Sequence, residues 1–329
     1  MSFVEVSRGE VVESRHRVHV AVADADGRVV ATAGSPDGVA FFRSVAKPFQ
    51  ALPLVEEGVL ERFGLTRAEL ALCCASHEGE PLHLEGARSI LSKAGAREED
   101  LRCGPHLPFR TREAHELIRA RERALPVHNN CSGKHAGMVA LAAAMGWPVE
   151  DYHRPDHPVQ RRMLAEIARW TGVAEEAIAV GVDGCGVSCF GVPLPAMAGA
   201  FGRFTGAARR GEAPALIVEA MTENPFMVGG TGRACTRVME RTGSRAFVKL
   251  GAEGMYGGGL GERGLGFILK IEDGARRACD VAVVHLLGLL GALGDEDMEV
   301  LADLHTPGLV NTRGEDVGRI TAAFDLTWA

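Results

Sequence analysis

The stretch Phe42-Arg-Ser-Val-Ala-Lys-Pro-Phe-Gln50 decides how the rest of the chain is read. Val39 to Phe42 is a short apolar run of strand type, and after Arg43 the spacing becomes helical through Val55. Ser44 is expected to cap this helix, with Lys47 one turn further on. That turn sets an amine beside a hydroxyl at a helix start, where the dipole favours developing negative charge. A lysine that is neutral there can take the serine proton and leave an activated nucleophile, as in Ser–Lys acyl transferases. The plainer reading is a capping serine and a solvated lysine, since S-x-x-K alone occurs in many unrelated proteins.

Strand patterns lie outward on both sides. His16 to Ala23 alternates, Asp26-Gly27 makes a tight turn and Val29 to Ala33 runs back, which is a hairpin signature. Thr66 and Glu69 have capping-box spacing. Helical periodicity covers 81–94 and 113–123. A small-residue helix runs from Lys134 to Met145 before Gly146, and Pro158 and Gly172 bracket another. Ala177 to Val182 reads as a buried strand leading into the loop Asp183-Gly-Cys-Gly186. Helices near 194–204, 214–223 and 231–241 follow. Strands Arg245–Leu250 and Leu265–Ile271 then flank the glycine-rich segment 251–266, before a helix at 277–293. Strands at both ends with helices between and after them predict an α+β fold, in which terminal strands share one antiparallel sheet covered by helices, with a helical portion. No linker or repeat divides the chain, so 1–329 is read as one catalytic unit, with the bounds of a helical subdomain undetermined.

Among its 36 basic residues the chain has only five lysines, Lys47, Lys93, Lys134, Lys249 and Lys270, so 31 are arginine. Where surface charge alone is needed arginine serves; a lysine is required where an amine must lose its proton, as a base or a metal ligand. Lys93 and Lys270 read as ordinary solvated positions. Lys47, Lys134 and Lys249 stand in unusual contexts. Val248-Lys249-Leu-Gly251 on a late strand resembles the K-T/S-G strand that completes S-x-x-K in the serine β-lactamase fold, and Ser76 in Cys74-Ala-Ser-His-Glu-Gly-Glu80 can supply the loop serine. S-D-N and the hydroxyl of K-T-G are missing, which argues against a β-lactam substrate.

Cys131-x-x-Lys134-His135 and Cys185-x3-Cys189 form a third constellation. Thiolates from separate loops can clamp one zinc ion. The alternatives are buried cysteines acting as small apolar groups, or a Cys–His nucleophile pair. The glycine-rich run lacks G-x4-G-K-[ST], so its glycines are read as permitting close backbone approach near a small ligand rather than as a phosphate loop.

A net charge of −7, with no collected Lys/Arg face, argues against nucleic-acid binding. No apolar stretch is long enough to span a bilayer, and the start shows no signal-peptide pattern, so a soluble cytoplasmic protein is expected. The eight cysteines give no paired framework.

Taken together, FRSVAKPFQ (42–50), CASHEGE (74–80), HNNCSGKHAGM (128–138), VDGCGVSCFGVPL (182–194) and KLGAEG (249–254) resemble the class 3, or rhizobial-type, L-asparaginases. The resemblance implies hydrolysis of L-asparagine to L-aspartate and ammonia, on a fold similar to serine β-lactamases and glutaminases, in a homodimer. It implies two Ser–Lys tandems, Ser44 with Lys47 and Ser76 with Lys249. It further implies a zinc ion on Cys131, Lys134 and Cys185 with water in the open position. Arg43, His135 and Asp183 fall where the family lines its substrate site, Arg43 suiting the α-carboxylate and Asp183 the ammonium. Cys189 and Cys235 receive no role. Two other readings stay open: a zinc-hydroxide amidohydrolase on asparagine or another small amide such as glutamine, and a non-enzymatic zinc-stabilised binding protein.

Overall fold

Val4 and Val6 point inward while Glu5 between them and Ser7 after them do not, and this alternation makes the first strand, β1 (Phe3–Arg8). In this computed structural model, which describes residues 2–329, the chain divides into two compact units. The first collects residues up to Val45, Val192–Gly206 and Arg237–Ala329. The second holds Ala46–Gly191 and Ala207–Thr236.

The first unit carries a nine-stranded sheet: β1, β2 (Val11–Ala23), β3 (Val29–Ala33), β4 (Ala246–Gly251), β5 (Met255–Leu260), β6 (Leu265–Ile271), β7 (Gly308–Val310), β8 (Asp316–Ala323) and β9 (Thr327–Trp328). Its order is β7-β8-β1-β2-β6-β5-β4, with β3 beside β2 and β9 beside β3. Every pairing is antiparallel. The terminal strands meet as the sequence predicts, Val4 opposite Ala322 and Val6 opposite Ile320. The β2–β3 hairpin turns at Gly27, whose φ is +83°, while the Asp24 carboxylate accepts from the Asp26 and Arg28 amides. The helix Arg276–Leu289 buries Val281, Val284, Leu286 and Leu287 and packs on β6 and β8.

The glycine-rich segment differs from expectation twice. It contains a strand of its own, β5, and its glycines make room for a helix rather than a small ligand. A Cβ on Gly257 would stand 2.4 Å from the Phe201 ring, and one on Gly266 2.1 Å from the Gly202 amide nitrogen. The helix Leu194–Arg209 therefore presses its backbone onto the sheet where side chains are missing.

The second unit is mainly helical: α1 (Lys47–Glu56), α2 (Arg67–Cys73), α3 (Pro81–Lys93), α4 (Thr111–Ala120), α5 (Ser132–Met145) and α6 (Pro158–Thr171). Helix α5 is apolar almost all round and is the central helix, touching α1, α2, α3 and α6. Gly133 admits α2, since a Cβ there would lie 2.4 Å from the Leu72 carbonyl oxygen. The Thr66–Glu69 capping box is present and does more than cap. The buried Glu69 carboxylate accepts from Lys93 Nζ (2.7 Å) and Ser89 Oγ (2.7 Å) as well as from the Thr66 amide (2.6 Å), tying α2 to α3.

Three further expectations need correction. Lys93 is tied down by Glu69, and Lys270 donates to the carbonyls of Glu253, Ile271 and Glu272, so neither is merely solvated. The strand Ala179–Val182 pairs with Ser188–Pro193, but Val180 and Val182 are exposed, because apolar character alone does not distinguish an edge from a core strand. Ser44 does not cap α1: it lies inside a 3-10 turn, Arg43–Ala46, and the cap position is Ala46. Capping by Ser44 would place Pro48 fourth in the helix, where its ring no longer fits; starting at Lys47 keeps it in the first turn. Among the described residues no helix is long and apolar enough to cross a membrane.

Candidate active site

In the second unit, Lys47 opens α1 and is 1% exposed. A buried amine must satisfy its hydrogen-bonding groups. Its Nζ donates to Ser76 Oγ (2.9 Å), to the Ala75 carbonyl and to Cys131 Sγ (3.2 Å). The buried loop Ser76–Glu80 is held on every side. The Ser76 amide donates to the Val228 carbonyl (3.0 Å) and the His77 amide to that of Asn130 (3.1 Å). His77 Nδ1 accepts from the Gly79 amide (3.1 Å), which leaves Nε2–H to donate to Ser132 Oγ (3.0 Å). Glu80 accepts from both the amide and the hydroxyl of Thr231 (2.7 Å each), and Glu78 pairs with Arg233 (2.8 Å).

Cys131 precedes α5, and Lys134 in its first turn donates to Cys185 Sγ at 3.0 Å. Cys185 sits on the tight loop after Val182, closed by Asp183 and Val187 through a 2.8 Å backbone bond with Gly186 at φ +92°. The interaction with Cys131, reinforced against burial by the Lys134 charge, pulls the Cys185 thiol well down; the same interaction, with burial, pushes Cys131 up. One thiolate is thus held on Cys185. Burial opposes charge on Lys134, but Cys185, Cys131 and Asp183 together outweigh it and hold the ammonium above its usual value. His135 is fully buried, and burial together with the Lys134 charge keeps its imidazole neutral.

Two thiols and an amine therefore gather here, and their chemistry fits a zinc ion: thiolates are favoured ligands, and metal binding displaces protons of the kind that Lys134 now shares with Cys185. Among the described residues no group of three or more His, Cys, Asp and Glu side chains is arranged to hold a metal ion.

In the first unit, Ser44 is half-buried in the turn between the buried Phe42 and Val45. Arg43, just before it, has φ +50°, a left-handed conformation unfavourable for a side chain. Its guanidinium pairs at 3.6 Å with Glu253, itself at φ +59°. Strain of this kind persists only where its surroundings enforce it. Lys249 on β4 is 1% exposed and donates to the Leu250 carbonyl (2.8 Å). At the end of that strand Gly251 lies against the turn: a Cβ there would be 3.2 Å from Val45 and 3.3 Å from the Phe42 carbonyl oxygen.

Of the residues singled out in the sequence, the second unit brings together Lys47, Ser76, Cys131, Lys134, Cys185 and Asp183, while the first brings Arg43 and Ser44 to the end of the Lys249 strand. Lys47 engages Ser76, the serine that the resemblance pairs with Lys249. Cys189 and Cys235 are buried. Two residues escaped the sequence reading. Glu253 carried no signal beyond its place after Lys-Leu-Gly. Tyr152 does carry one: it is one of only two tyrosines in the chain.

Among curated proteins none matches the chain. Among solved structures it is similar to a beta-lactamase-like protein from Bacteroides dorei, with 13% identity, a TM-score of 0.40, and coverage of 87% of this chain and 93% of that one. A family model described as L-asparaginase II matches residues 4–322.

Proposed function

The chain belongs to the L-asparaginase II family, and from that premise we propose that it hydrolyses L-asparagine to L-aspartate and ammonia through an acyl-enzyme on Ser44. Family membership supports amide hydrolysis of asparagine in general. The observation that supports the finer reading is Lys47, one of five lysines, buried three residues after Ser44 with its amine on the Ser76 hydroxyl and the Cys131 thiol.

In this proposal Lys47 takes the Ser44 proton as Oγ attacks the side-chain amide carbon. Backbone amides at the start of the turn and helix stabilise the oxyanion, a contribution of about 3 kcal/mol per donor. The C–N bond breaks, and the leaving nitrogen receives a proton through Ser76 and Lys249 and departs as ammonia. Water then adds to the aspartyl ester, and Ser44 is restored with its proton. Arg43 binds the substrate α-carboxylate, Asp183 its ammonium, and His135 a further polar atom. Cys131, Lys134 and Cys185 would hold zinc, which when bound supplies a Lewis-acid centre that attracts and orients substrate oxygen. A cytoplasmic homodimer belongs to the same proposal, and light scattering tests the dimer.

Ammonia release from L-asparagine, wild type against Ser44→Ala, tests the reading. The expected result is turnover by the wild type and a loss of at least about a thousandfold in kcat for the variant. Retention of most activity would withdraw Ser44 as nucleophile in favour of an amidohydrolase working through the Cys131, Lys134 and Cys185 site. Faster turnover of L-glutamine would reassign the substrate, a distinction of one methylene that amounts to about 1–3 kcal/mol.

A further inference from the structure

His135 and Tyr152 are both fully buried, and their side chains meet: His135 Nδ1 lies 2.6 Å from the Tyr152 hydroxyl oxygen. That oxygen also accepts from the Arg102 amide at 2.8 Å. The other ring nitrogen, His135 Nε2, is buried without a hydrogen-bond partner. Three protonation patterns can be counted against these contacts. If the tyrosine donates to Nδ1, the proton of the ring sits on Nε2 and one polar group, Nε2–H, is left without a partner. If Nδ1–H donates to the tyrosine, the phenolic proton and the Nε2 lone pair are both orphaned. If the ring carries both protons, the phenolic proton and Nε2–H are orphaned. Each buried orphan is unfavourable, so the first pattern, which leaves one rather than two, wins.

We infer that Tyr152 is a positioning residue that fixes His135 as its Nε2–H tautomer, holding one buried N–H donor in reserve for an acceptor oxygen of the bound ligand. The inference rests on the proposed amidase reading and narrows the role of His135 within it, to recognition of a carboxylate or amide oxygen of a small amino-acid amide or its acidic product. The pair is well anchored. Tyr152 presents its backbone carbonyl to Gln160 Nε2 (3.0 Å), and Gln160 Oε1 accepts from the Ser188 amide (3.2 Å), which follows the Asp183–Val187 loop. The tyrosine also lies edge-on to the His135 ring, with centroids 5.6 Å apart. A direct metal bond from Nε2 would demand the opposite tautomer, with the proton on Nδ1.

The test uses the full-length protein with 15N-labelled histidine, observed by NMR with added zinc and with chelator, and compared with Tyr152→Phe. The expected wild-type spectrum has the His135 proton on Nε2 in both conditions, and L-asparagine or L-aspartate shifts the Nε2 resonance. In Tyr152→Phe, if circular dichroism shows it folded, the ring loses its fixed orientation and KM for L-asparagine rises about tenfold with a smaller change in kcat. Should that variant not fold, His135→Gln and His135→Ala take its place: glutamine restores an N–H donor and recovers at least half of the affinity that alanine loses. A proton on Nδ1, or an Nε2 resonance unmoved by both ligands, overturns the inference. Wild-type protein that releases no ammonia yet shows the Nε2–H signal and its ligand shift would overturn the proposed activity while leaving this assignment standing.

Discussion

At the scale of single residues, the five lysines divide by what an arginine could not do. Lys134 meets a thiolate at one point contact, Cys185 Sγ at 3.0 Å, where a planar guanidinium would neither fit nor give up a proton. Lys134→Arg is therefore expected to abolish metal binding. Mass spectrometry of the dialysed protein should find about one zinc per wild-type chain and less than a tenth of that in the variant; equal zinc contents would remove the lysine from the proposed ligand set. Scarcity made three of these lysines readable from the sequence, and it would have pointed to Tyr152 by the same logic. The left-handed backbone at Arg43 and Glu253 was not legible, because ordinary side chains there give no sign that their surroundings force them into it.

At the scale of elements, local rules did well where one segment decides the outcome. The Thr66–Glu69 box, the Asp26-Gly27 hairpin and the Gly146 and Gly172 stops are short-range features and stand where the pattern predicts them. They failed where a partner from elsewhere decides: the glycine-rich stretch became a strand because the helix Leu194–Arg209 covers it, and nothing local announces that cover. Two stability predictions follow from these elements. Gly266→Ala sets a Cβ against backbone atoms that cannot rotate away, and should cost about 3 kcal/mol in urea unfolding; a change under about 0.5 kcal/mol would mean the helix can lift. Glu69 is a buried carboxylate whose pKa, despite the opposing effect of burial, is lowered by the bonds from Lys93, Ser89 and Thr66. Its contribution is present above the unfolded carboxylate value and disappears as pH falls through the lower folded value. Glu69→Gln should therefore lower Tm by about 3 °C at pH 7, and the difference should close as the carboxylate is protonated in acid. A gap that persists unchanged in acid would show that packing, not charge, is what the carboxylate provides.

At the scale of the whole molecule, the α+β class and the meeting of terminal strands were readable from the order of patterns, while the division into two interleaved units was not, since contiguous sequence says nothing about which distant segments gather. That interleaving has a consequence for how the protein comes into being. The second unit takes most of its residues from one continuous stretch, Ala46–Gly191, whereas β1 must wait for β8, Phe3 opposite Ala323. During synthesis, at about 5–20 residues per second, the β8 edge of β1 stays unfilled for tens of seconds, an interval in which other chains compete for it. The charged pairs of the opening hairpin, half-buried Glu5 with Arg15 at 2.8 Å and Arg8 with Glu13 at 2.9 Å, stand on that waiting ribbon. They guard a nascent chain as much as they decorate a finished one.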